Sequence, residues 1–105
     1  MLFLNIHRFT PSKVNTVEAL LVKYAPEVLV LTECELEPGT APFYQGYHTY
    51  EAANVSLVRT VAFVAAGLKH RVLPPLETPI QIVPLEITAP RRRIVLIGHY
   101  EQFQD

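Results

Sequence analysis

The sequence predicts an α+β domain, built as one mixed sheet of about six strands carrying one main helix. Three observations lead there. Short runs of Val, Leu and Ile recur along the chain, only one segment spaces its apolar residues as a helix does, and the opening stretch runs strand, helix, strand over roughly 30 residues.

The elements follow in order. From Leu2 to His7, Leu2, Leu4 and Ile6 alternate with Phe3, Asn5 and His7, which is the period of a strand with one apolar face. Thr10-Pro11-Ser12-Lys13 reads as a helix start, since a Thr side chain can cap free backbone N–H groups and Pro loses nothing at the first helical position. Val14, Val17, Leu21 and Tyr24, with Leu20 beside them, form one helical stripe, and Pro26 ends it. Val28 to Leu31 is a continuous apolar run suited to a strand buried on both faces. Phe43 to Tyr50 alternates aromatic and polar residues. Ser56 to Ala66, Arg71 to Leu73, Gln81 to Thr88 and Arg93 to His99 read as further strands, and residues 89–92 as the last hairpin turn.

Composition bounds the rest. A chain of 105 residues is expected to fold as one domain, 1–105, with a single core. Hydrophobic residues make up 50%, charged residues 18%, and mean hydropathy is +0.20, which excludes a disordered chain. The run Val28 to Leu31, with Val61 to Ala66 and Ile94 to Ile97, loads both faces of a sheet that one helix shields on one side only. Leaving several hundred Å² of such surface wet forfeits on the order of 10 kcal/mol. The second face is therefore expected to be covered by a partner, in a homodimer packed through sheet faces or in a larger parent protein. A formal net charge of -1 excludes a broad electrostatic grip on nucleic-acid backbone and leaves room for a local one. One cysteine and no apolar run near the roughly 20 residues a bilayer needs point to a soluble, cytoplasmic protein without a membrane segment.

Chemistry concentrates at the ends of the first two strands. If these are parallel neighbours, Asn5 and Glu33 emerge at one edge of the sheet, where amide and carboxylate oxygens suit a hard cation such as Mg²⁺ or Mn²⁺. The plain alternatives are a solvated carboxylate for Glu33 and local backbone satisfaction for Asn5. Cys34 has no identifiable basic neighbour and reads as a buried, inert thiol. His7, His48, His70 and His99 are scattered, with no spacing that makes a metal pair. Arg91, Arg92 and Arg93 read either as a nucleic-acid contact or as a solvated hairpin tip that blunts an edge strand.

Leu4-Asn5-Ile6, followed by a helix and then Glu27-Val-Leu-Val-Leu-Thr-Glu33, resembles the opening of the endonuclease/exonuclease/phosphatase superfamily, which pairs a WN- or LN-type strand with a DV-x-x-LTE-type one. With Ala25-Pro26-Glu27 ahead of it, the LTE form is most similar to the endonuclease domains of non-LTR retrotransposons. Val61-Ala-Phe-Val64 and Ile97-Gly98-His99-Tyr100 resemble later strands of that family, so the likeness spans the chain as the N-terminal half of an α/β sandwich. It implies metal binding or orientation by Asn5 and Glu33, and contact of Tyr100 with a scissile phosphate. The departures are His7-Arg8 in place of an NG-like pair, Glu101-Gln102-Phe103 after Tyr100, and no GDFN-type or SDH-type segment. The resemblance therefore implies a truncated metal-dependent phosphodiesterase, weakly active or inactive alone and assembling as a homodimer. The alternative is a binding module for protein or nucleic acid without chemistry.

Overall fold

Two strands of this chain are apolar on both faces, and the rest of the molecule is arranged to cover them. The computed structural model describes residues 1–75, 81–88 and 92–99. In chain order they form β1 (Leu2–Asn5), a 3-10 turn (Pro11–Lys13) leading into α1 (Val14–Tyr24), β2 (Val28–Thr32), β3 (Tyr47–Glu51), β4 (Val61–Ala65), β5 (His70–Val72), β6 (Gln81–Ile87) and β7 (Arg93–His99). These strands make a mixed four-stranded sheet in the order β1-β2-β4-β3 and an antiparallel three-stranded sheet in the order β5-β6-β7. The expected α+β class stands; the expected single sheet of about six strands does not.

The sheet partition also corrects the expectation that a partner covers the second face. Leu29, Leu31, Val61 and Phe63 face α1, where they pack with Val17, Leu21, Ile6, Phe9 and Tyr44. Val28, Val30, Ala62 and Val64 face the other way and meet Val83, Leu85 and Ile97 of the second sheet. Each Val, Leu, Ile or Phe side chain taken out of water contributes about 1.5–3 kcal/mol. The chain thus folds its own second layer onto the surface that α1 cannot reach. Alternation along 81–99 fits membership of either sheet equally well, which is why sequence pattern placed these strands in the first one. Among the described residues of the second sheet, Ile94, Leu96 and Val72 stay apolar and exposed, at 61%, 58% and 44%.

Local details refine the helix. Thr10 stands at the N-cap of the 3-10 turn without a side-chain cap bond; its Oγ1 lies 2.9 Å from Ser12 Oγ instead. Val17 and Leu21 are buried as the stripe predicts, whereas Tyr24 is exposed. Ala25 ends α1 in the left-handed region at φ 41°, its N–H bonded to Leu21 O at 2.9 Å. Two tyrosines lash the helix to the segment 44–47: Tyr44 Oη donates to Val14 O and Tyr47 Oη to Pro26 O, both at 2.8 Å. The strand expected from Phe43 begins only at Tyr47, because Tyr44 turns into the core and meets Phe63 edge-on at 5.2 Å between ring centroids.

The second sheet is fastened by one buried carboxylate. Glu86, on the middle strand β6 and 4% exposed, accepts from Arg71 Nε at 2.8 Å and from Arg92 Nε and Nη2 at 3.0 and 2.8 Å. One acid so bridges β5 to the residue preceding β7. The Arg71 and Arg92 hydrogen bonds hold its carboxyl below the ordinary glutamate value of 4.5. A depressed folded-state value means the stabilisation is complete above the unfolded value and fades as pH falls through the folded one. Below about pH 4.5, urea midpoints of the wild type and Glu86→Gln should therefore converge, with the wild type the more stable at pH 7. A gap that widens in acid would contradict the clamp.

Candidate functional site

β1 and β2 are parallel neighbours, and the register pairs Leu2 with Leu29 through to Asn5 with Thr32. Asn5 and Glu33 consequently leave the sheet at the same edge. Beyond the strands the two segments stay joined: Ile6 N donates to Thr32 O at 3.1 Å, Arg8 N to Glu33 O at 2.7 Å and Phe9 N to Cys34 O at 2.8 Å. His7, Arg8, Glu33 and Glu35 all sit at positive φ, 48°, 80°, 56° and 51°. Each such non-glycine residue costs on the order of 1–3 kcal/mol, and strain of this kind gathers at functional edges.

The strained turn has an internal brace. Lys13 Nζ donates to Ile6 O, His7 O and Arg8 O at 2.6, 2.9 and 3.0 Å, so an ammonium occupies the bowl of carbonyls that the turn creates. Asn5 Oδ1 accepts from His7 N at 3.1 Å, an Asx turn that leaves the oxygen's second lone pair for another partner. Glu33 Oε2 lies 3.0 Å from His7 Nδ1, with the two side chains 42% and 78% exposed. Arg8 and Glu35 approach at 3.9 Å. Both are surface pairs of the kind worth about 0–1 kcal/mol.

Among the described residues, no group of three or more His, Cys, Asp and Glu converges to hold a metal. Asn5 and Glu33, expected from the sequence as metal ligands, leave the sheet at one edge with His7 beside them, a neighbour that sequence reasoning missed. Positive φ at two successive residues is not written in the types His and Arg, so the sequence carried no signal for it. Tyr100 and Arg91 lie outside the described residues. Arg92 is spent on Glu86, while Arg93 Nη2 lies 4.0 Å from Glu27, so these two arginines serve different carboxylates.

Two further places complete the survey. A shallow groove of about 520 Å³ runs beside α1, lined by Leu21, Val22, Tyr44 and Tyr47, with Glu18 its single charged lining residue. Burial pushes the Tyr44 phenol up to about 12, and Glu18 adds to the shift. At the rim where β3 and β5 meet, His48, Tyr50 and His70 cluster, with ring centroids 5.6 Å apart for His48–His70 and for Tyr50–His70. The histidines that look scattered in sequence thus include one close pair. His48 and Tyr50 share a strand face through their i, i+2 spacing; the arrival of His70 depends on how the two sheets pack.

Comparison of the chain with protein-family models, with curated proteins and with solved structures finds no match. No helix among the described residues is long and apolar enough to cross a membrane.

Cys34 is fully buried, as the sequence reading expects. Its Sγ donates to Leu31 O at 3.5 Å, and burial lifts its pKa to about 12. Native protein at pH 8 should resist iodoacetamide for hours and label within minutes in urea. Rapid labelling of the folded chain would show that the loop 32–36 opens readily.

Proposed function

We propose that this chain is a metal-dependent phosphodiesterase-like domain of the endonuclease type, which takes Mg²⁺ or Mn²⁺ at Asn5 and Glu33 and hydrolyses phosphodiesters weakly or not at all by itself. The supporting observation is the parallel register that brings both residues to one strained edge. In this reading Asn5 and Glu33 would hold the ion, Glu33 giving up its contact with His7, and water would supply the remaining oxygens. Lewis-acid polarisation of a phosphate oxygen follows from such a site. With two protein ligands, and Lys13 already placing a positive charge in the turn, affinity is low and turnover slow. Tyr100 as a phosphate contact belongs to this reading.

Assembly as a homodimer through sheet faces fits the outer side of the second sheet, where Ile94 and Leu96 are exposed. A net charge of only -1 puts little repulsion between two copies. Sedimentation of the wild type against Leu96→Glu should show a dimer and a monomer respectively; a wild-type monomer at tens of micromolar would remove the dimer from the proposal.

The alternative, a binding module without chemistry that holds protein or nucleic acid, is separated by a paired assay. Mg²⁺ or Mn²⁺ at millimolar concentration should raise the melting temperature of the wild type by a few degrees, and the effect should vanish in Glu33→Ala. Plasmid nicking, if present, must vanish with it. Absence of any metal response in the wild type would leave the binding module as the reading.

A further inference from the structure

We propose a second cation site, distinct from Asn5 and Glu33 and selective for borderline divalent ions such as Zn²⁺, formed by His48, Tyr50 and His70 across the seam between the two sheets. β3 is an edge strand of the four-stranded sheet and β5 an edge strand of the three-stranded one, so the cluster stands where the layers come together at the rim. His48 and Tyr50 sit on the face of β3 that carries Ala62 and Val64 in register, the face turned towards the second layer.

Three features of His70 and its neighbours match a ligand set. First, His70 Nδ1 lies 2.6 Å from Leu68 O. A carbonyl can only accept, so Nδ1 carries the proton and Nε2 keeps the lone pair; a backbone carbonyl on the far ring nitrogen is the usual way a metal-binding imidazole is oriented. Second, Nε2 is 2.8 Å from Tyr50 Oη, so the two donor atoms already share one small volume. Third, bonds of about 2.0–2.1 Å to both rings at a tetrahedral angle place the imidazole centroids about 5 Å apart. The His48–His70 separation is 5.6 Å with the rings tilted by 52°. His48 is exposed, and its ring has no hydrogen-bond partner among the described residues, so the ring can turn inward without breaking one while the backbone stays paired with Val64.

His48 and His70 would hold the ion through ring nitrogens and Tyr50 through its oxygen, with water completing the set. Nitrogen donors select against Mg²⁺ and Ca²⁺ and favour Zn²⁺, with Cu²⁺ and Ni²⁺ as relatives. The ion joins two strands that no backbone hydrogen bond of either sheet connects, so occupancy stiffens the seam.

The test is titration of the chelator-treated chain with Zn²⁺, followed calorimetrically and by melting temperature. Expected are one Zn²⁺ per chain, a higher melting temperature, and no competition from millimolar Mg²⁺. His48→Ala, whose exposed ring is not needed for folding, should weaken binding at least tenfold, as should His70→Gln. Tyr50→Phe, which keeps the ring and loses the oxygen, should weaken it by a smaller factor, while His7→Ala should leave it unchanged. The proposal is overturned if Zn²⁺ fails to bind at micromolar concentration. It is equally overturned if His48→Ala binds as the wild type does, or if His7→Ala abolishes the binding.

Discussion

The constraint on which this structure depends is that β2 and β4 are apolar on both faces. Val28 to Leu31 and Val61 to Val64 are each at most 2% exposed, and antiparallel pairing of Leu29 with Phe63 and Val30 with Ala62 makes them a single two-sided slab. Such a slab cannot lie on a surface. It dictates one layer of helix and one layer of sheet, and it fixes what is left over. β1 and β3 become edges, the second sheet turns its outer side to solvent, and the connections at the strand ends carry the polar chemistry.

Within that arrangement the two candidate cation sites differ in how they are made. The Asn5–Glu33 edge is built from adjacent strands, so its geometry comes with the parallel register. Its weakness is electrostatic: the best concentration of oxygen dipoles in the turn is already taken by Lys13. The His48–Tyr50–His70 cluster is built from two layers, so its geometry depends on packing and answers to whatever shifts one sheet against the other. Its strength is chemical, because the Leu68 carbonyl presets the imidazole tautomer.

How much of this was legible in the sequence follows from the range of the forces involved. β1, α1, β2 and β7 are set by local period and by Pro26, and they fall close to where alternation and helical spacing put them. The meeting of Asn5 with Glu33 at one edge was also legible, since a strand–helix–strand unit makes parallel neighbours. The partition into two sheets was not, because Val83, Leu85 and Ile97 show the same alternation whichever sheet they join. Nor was the fate of Tyr44, an aromatic that reads as part of a strand and is instead drawn into the core by Phe63 and the Val14 carbonyl. His70 beside Tyr50 required knowledge of layer packing, which twenty residues of separation do not encode.

The order in which the layers appear during synthesis has its own consequence. The slab is chemically complete once Val64 has been made, yet the residues that shield its far side are Val83, Leu85 and Ile97. At about 5–20 residues per second, a ribosome leaves that surface bare for several seconds. Through that interval the nascent chain is an adhesive ribbon, with Val28, Val30 and Val64 open to other chains until β7 emerges.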